Sequence, residues 1–257
     1  MRTLLTIITL SLALSIGRAQ QPALRQDGYA PELVNLQNEY RKALDAYYAP
    51  FDRAKSDEER QKIRLDPKKD PSRSLIPRFQ ALSRRAAGTG TGARALLAII
   101  EIDRSDAPTS SARRALDDLI AGYCGTSIME EMVETLRYVP RCLGRETVLT
   151  GLRRIIARSS IRAARAAALL NIARITLDDS ETTEAGRFEA KKSLERLRKQ
   201  FADTRAGRAA DHALFELDNL QVGMTAPDFE ATDEVGRRFR LSEYRGKVVV
   251  LDFWGFW

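Results

Sequence analysis

Between Pro31 and Leu220, apolar residues recur at steps of three and four almost without interruption, and at Gln221 that rhythm stops. Such spacing gives each helix one apolar stripe, so this stretch has to fold as helices packed on helices. Leu33, Leu36, Tyr40, Leu44, Tyr47 and Phe51 share the first such face, and Pro31 suits a first helical position. Ser56 with Glu59, and Ser127 with Glu130, have the spacing of capping boxes. Asp66 to Ser74, with two prolines and several charges, reads as a loop. Helical pattern resumes at Leu75 to Ala87.

Gly88-Thr89-Gly90-Thr91-Gly92 reads as a flexible connector. A phosphate-binding loop needs a preceding strand and usually a following Lys, and neither is present. Helices are then expected over Ala93 to Ile102, Ser111 to Gly122, Ile128 to Val139, Arg145 to Arg158, Ile161 to Leu177, Thr183 to Phe201 and Gly207 to Leu220. Their short turns predict a mainly α domain, a helical-repeat layer or α-solenoid, without a clear fixed period. The last two helices, with Leu194, Leu197, Phe201, Leu214, Phe215 and Leu217, resemble a terminal tetratricopeptide-like hairpin.

Beyond Gln221 the pattern changes. Phe229 to Leu241 reads as two short strands around a turn containing Gly236. Ser242 is placed to cap a single turn through Glu243 and Tyr244, ended by Gly246. Val248 to Phe253 is a continuous apolar, β-branched run, the pattern of a central parallel strand covered on both faces. Three regions follow: a leader over 1–19, a helical domain over 20–220 and an α/β segment over 221–257.

The net charge of +7 comes from Arg residues spread among Glu and Asp along helix faces. Basic residues form no block and do not alternate with aromatics, so no nucleic-acid partner is expected. Arg2, the apolar run Leu4 to Ile16 and the small residues around Gly17-Arg18-Ala19 form a secretory leader pattern. The run is short for a spanning helix, so the weaker alternative is an uncleaved anchor. The mature chain is expected to start near Gln20 and to be exported to the periplasm.

Val222-Gly-Met-Thr-Ala-Pro-Asp-Phe229, then a hairpin, then Leu241-Ser-Glu-Tyr-Arg-Gly-Lys247, then Val248-Val-Val-Leu-Asp-Phe-Trp254, resembles the start of the bacterial redoxin superfamily. That superfamily includes exported thioredoxin-like thiol–disulfide oxidoreductases and the alkyl hydroperoxide reductase/thiol-specific antioxidant branch. The segment is thus expected to be the opening of an incomplete thioredoxin-like α/β domain. In the thioredoxin-like branch this strand leads into Asp-Phe-Trp-x-x-Trp-Cys-x-x-Cys. Asp252, Phe253, Trp254 and Trp257 match the pattern up to the residue before its nucleophile, which favours disulfide exchange over the peroxidase branch.

The resemblance implies a thiolate at a helix N-terminus, its pKa lowered by the helix dipole and free backbone N–H groups. That thiolate attacks a substrate disulfide, and a second Cys resolves the mixed disulfide. Asp252 would lie beneath the second Cys as a desolvated proton relay; its plainer reading is a strand-end residue bonding backbone. Trp257 would flank the nucleophile and shape the substrate surface, while Trp254 would belong to the core. The implied partners are protein dithiols and disulfides, with no cofactor, and the helical domain is a possible site for another protein.

The only cysteines are Cys124 and Cys142, both in the helical part, so no Cys-x-x-Cys is present and the sequence as written is expected to be inactive. Some thioredoxin-fold enzymes carry selenocysteine, encoded by UGA, in place of the first Cys, which makes a UGA codon after Trp257 one expectation. A non-catalytic exported helical-repeat binding protein is the reading from another class. Within such a sequence the Val248 to Trp257 tail is expected to be poorly packed.

Cys124 and Cys142 flank the expected Ile128 to Val139 helix. That helix would span about 18 Å, whereas a disulfide needs Cα atoms within about 7 Å. The pair is therefore expected to be unbridged. His212, the single histidine, has no neighbouring ligands in sequence and reads as a helix-surface residue, not a metal site.

Overall fold

A computed structural model of the chain describes residues 24–103, 110–139, 143–179 and 181–252. The leader over 1–19, Cys142, Phe253, Trp254 and Trp257 lie outside the described residues.

The described residues form a mainly α structure followed by a small hairpin. The first three helices are α1 (Ala30–Arg53), α2 (Asp57–Lys62) and α3 (Ser72–Arg85). Next come α4 (Gly90–Ile102), α5 (Ser111–Tyr123) and α6 (Ile128–Leu136). The last four are α7 (Arg145–Arg158), α8 (Arg162–Leu177), α9 (Glu184–Gln200) and α10 (Arg205–Asn219). Sequence-neighbouring helices pack as pairs: α3 on α4, α4 on α5, α7 on α8, α8 on α9 and α9 on α10. Longer-range contacts of α6 with α8 and α4, and of α5 with α7, join the pairs into one layered core.

Helix α8 is at the centre of the second half, touching α6, α7, α9 and α10. Its buried positions Ala164, Ala166, Ala167, Ala168, Leu170, Ala173 and Ile175 fall around much of its circumference. Small side chains on several faces let several helices approach closely, and a helix with apolar residues all round belongs inside. One buried polar group interrupts it: Asn171 donates its side-chain N–H to the Val133 carbonyl of α6 at 2.6 Å. This bond satisfies the amide group away from water.

Several expected boundaries need correction. Asp66 to Ser74 is not simply a loop: it holds a 3-10 turn over Pro67–Lys69, and α3 already starts at Ser72. The Asp66 and Asp70 side chains accept backbone N–H bonds from Lys68 at 2.9 Å and Ser72 at 2.8 Å, which organises the segment. The Ser56–Glu59 box forms with a shift. Ser56 Oγ accepts the Glu59 N–H at 3.2 Å, while the Glu59 carboxylate accepts from Lys55 N–H at 2.7 Å. Ser127 makes no cap; its own backbone is helical, with φ −61° and ψ −25°.

The glycine-rich stretch is not a flexible connector: Thr89 caps α4, and Gly90, Thr91 and Gly92 form its first turn. Thr89 Oγ1 donates to the Ala86 carbonyl at 2.8 Å and accepts the Gly92 N–H at 3.1 Å. Gly92 has no room for a side chain: a Cβ would meet the Ala86 oxygen at 2.2 Å and the Tyr123 hydroxyl at 2.5 Å. The α9–α10 junction repeats this arrangement. Thr204 Oγ1 donates to the Phe201 carbonyl at 2.7 Å and accepts the Gly207 N–H at 3.0 Å.

Candidate functional site

The segment after α10 is built from short-range constraints. Strands β1 (Glu230–Thr232) and β2 (Arg238–Arg240) pair antiparallel in the register Glu230↔Arg240, Ala231↔Phe239 and Thr232↔Arg238. Asp233 shapes the turn between them. Its Oδ1 accepts N–H bonds from Val235 at 3.1 Å and Arg237 at 2.8 Å. Gly236, at φ +83°, takes the left-handed position this turn requires.

A second clamp joins the entry of the hairpin to its exit. The Asp228 carboxylate accepts both the backbone N–H and the hydroxyl of Ser242, each at 2.8 Å. The Leu241 N–H donates to the Phe229 carbonyl at 3.1 Å beside it. The Ser242 hydroxyl bond, followed by its backbone bond, holds the Asp228 carboxyl below the usual carboxylate range. Ser242 was expected to cap the following turn, but it donates to Asp228 instead, and the 3-10 turn Leu241–Tyr244 has no side-chain cap. Phe239 packs edge-on against Tyr244, with ring centroids 6.1 Å apart.

The expected central strand over Val248 to Phe253 is not formed within Val248 to Asp252. A parallel strand exists only beside another strand, and the sheet among the described residues is the two-stranded hairpin β1–β2. Exposure alternates along the stretch, at 96% for Val248, 42% for Val249, 85% for Val250 and 52% for Leu251. This period of two is that of an extended chain without a ladder. Of the tail expected to be poorly packed or aggregation-prone, Val248 to Asp252 are exposed, and residues 253–257 lie outside the described residues.

Asp252 follows these residues and is exposed, without the desolvated surroundings that a proton relay requires. Trp257, the other expected site residue, lies outside the described residues, so the structure does not bring the two together. Cys124 is far along the chain in the helical part, buried and unbridged. Burial pushes its thiol pKa up, away from the thiolate a nucleophile needs. Sequence reasoning missed the Asp228–Ser242 clamp. The available signal was a short acidic side chain just before one strand and a hydroxyl just after its partner.

The model of the AhpC/TSA family matches residues 222–257. Over 38 residues the chain is 64% identical to thiol-disulfide oxidoreductase ResA of Geobacillus kaustophilus (strain HTA426), covering 15% of this chain and 22% of that protein. ResA of Geobacillus thermodenitrificans (strain NG80-2) is 61% identical over 38 residues, with the same coverage of 15% and 22%. ResA of Bacillus anthracis is 42% identical over 40 residues, covering 16% of this chain and 23% of the relative. The chain thus spans about a fifth of the length of these curated relatives. No solved structure matches it. The C-terminal segment is therefore redoxin-like, of the general kind found in thiol–disulfide oxidoreductases.

Proposed function

We propose that this is an exported thiol–disulfide oxidoreductase of the redoxin type, with the helical domain over 20–220 as a partner-binding extension. One observation carries the reading: residues 222–257 match the AhpC/TSA family, beside 64% identity to a ResA protein over 38 residues. The likeness covers the approach to the reactive thiol, and no cysteine lies within residues 222–257. The reading therefore places the reactive thiol outside residues 222–257.

In such a site a thiolate displaces one sulfur of a substrate disulfide, forming a mixed disulfide and releasing the other sulfur as a thiolate. A second thiol, deprotonated by a nearby base, attacks the mixed disulfide and releases the reduced substrate. Asp252 is proposed as that base. Its exposed setting among the described residues would have to give way to a covered one once a sheet forms around it. Trp257 is proposed to border the substrate surface. Protein dithiols and disulfides are the proposed partners. Export rests on Arg2 and the apolar run Leu4 to Ile16.

The assay is reduction of a protein disulfide, with dithiothreitol as the electron source, by the product of a reading frame continued past Trp257. Catalysed reduction that is lost when the residue after Trp257 is replaced by Ser supports the proposal; no acceleration over dithiothreitol alone overturns it. The AhpC/TSA match favours one second reading, a thiol peroxidase. Consumption of hydroperoxide by the same product, without disulfide reduction, would establish that alternative.

A further inference from the structure

A second concave site lies where the C-terminal ends of α6 and α8 face the first turn of α9 and the middle of α10. It is a cavity of about 270 Å³ bordered by Arg137, Arg174 and Arg187, with Leu177, Ala213 and Leu217 supplying apolar wall. All three apolar residues are partly buried against the helical core. The cavity is independent of the redoxin reading, since its walls come from the helical region and, just beyond it, Gln221, which lies outside the family match over 222–257.

Charge in the cavity is unbalanced. Three guanidiniums border it against two carboxylates, Asp178 and Glu216. Arg137 reaches Asp178 at 3.8 Å, a long contact that leaves Asp178 mostly in solvent. Among the described residues no carboxylate comes within the 4.0 Å ion-pairing distance of Arg174 or Arg187. Arg174 is half-buried, and burial, then the neighbouring Arg137 charge, press on its protonated form. A cation held in that way is stabilised by any anion that enters beside it.

We propose that this cavity binds a carboxylate carried on a short aliphatic chain. Guanidinium groups are planar forks that take a carboxylate in two parallel hydrogen bonds. Leu177, Ala213 and Leu217 offer apolar surface to the methylenes behind it. The volume lies just under the roughly 300 Å³ at which pockets for drug-sized ligands begin. That size suits either a small free dicarboxylic acid or one acidic side chain of a peptide.

Calorimetric titration of the full chain with glutarate, and separately with a capped hexapeptide bearing one Glu, tests the proposal. At least one of the two is expected to bind with one-to-one stoichiometry, and the neutral diamide of glutarate is not. Glutarate alone binding identifies a free acid as the ligand; the peptide alone binding identifies a protein side chain; both outcomes support the site. Arg174→Met keeps the apolar stem and should weaken binding about tenfold or more, the usual scale for losing a charge-assisted bond. Arg187→Ala, at an exposed position, should weaken it similarly and decides the matter if Arg174→Met does not fold. No binding of either ligand, or binding unchanged in the folded variants, overturns the proposal.

Discussion

The Asp27 carboxylate accepts the backbone N–H of Thr91 at 2.7 Å, capping α4 from the segment that precedes α1. Its other oxygen accepts the Tyr29 N–H at 3.0 Å, and the Arg25 N–H donates to the Gly88 carbonyl at 3.0 Å. These bonds fix the start of the helical layer onto the α3–α4 turn. They also give free N–H groups of the first turn of α4 the acceptor that helix N-termini need.

Asp27→Ala should therefore lower stability by about 1 kcal/mol, the usual scale of a lost N-cap. Chemical denaturation at neutral pH checks the value. Part of this contribution depends on pH. Burial raises the Asp27 pKa, but bonds from Thr91, Tyr29 and Thr89 together outweigh it, so the folded value lies below the ordinary one. A depressed carboxyl pKa adds stability that is complete above the unfolded value of about 3.9. The contribution disappears as pH falls through the folded value. The gap between wild type and Asp27→Ala should therefore be full above about pH 4 to 5 and narrow at more acid pH.

Three glycines separate close approach from open space. Gly92→Ala places a Cβ 2.2 Å from the Ala86 carbonyl oxygen, a backbone atom that cannot swing aside. The loss is expected to be on the order of 3 kcal/mol. Gly207→Ala meets the Phe201 oxygen at 1.9 Å and should be at least as damaging. Gly122→Ala, in the last turn of α5 with nothing within 4 Å of its Cβ, should gain about 0.5–1 kcal/mol from reduced freedom of the unfolded chain. Denaturant midpoints of the three variants provide the test.

Much of the helical layer was legible because its signals are local. Arg145–Arg158 was placed to the residue, and α8 and α9 to within one residue at either end. The α4 start was not legible. Its glycines looked like a flexible link, and the reason for Gly92 is a carbonyl and a Tyr123 hydroxyl, the latter from a different helix. The clue was the spacing Thr89-x-x-Gly92, repeated in Thr204-x-x-Gly207, which reads as a hydroxyl cap followed by a close-packed glycine. The Val248 to Asp252 run has strand composition, but composition alone supplies no neighbouring strand to bond with. Asp252 was singled out only through its place in a family pattern, and Trp257 lies outside the described residues.

Cys124 is 8% exposed, and burial raises its thiol pKa. Cys124 is free, and Cys142 lies outside the described residues. A thiol reagent should label Cys124 slowly in the native protein and quickly in denaturant. Two thiols per chain should titrate in denaturant without reductant. Two thiols appearing only after reduction would establish a disulfide.

The Asp228–Ser242 clamp should hold the hairpin entry and exit together. Asp228→Ala is expected to abolish the slow hydrogen exchange of the Ser242 amide, with Ser242→Ala giving a smaller loss because the backbone bond survives. Since the Asp228 carboxyl is held below its ordinary pKa by these bonds, protection should be complete near neutral pH. It should then fail as acid protonates the carboxylate.

The central claim is that residues 222–257 are the approach to a redoxin thiol site. The nucleotides that follow the Trp257 codon test it most directly. A redoxin site of this type predicts a Cys codon next, then two codons and an in-frame Cys codon. Any other continuation would contradict it.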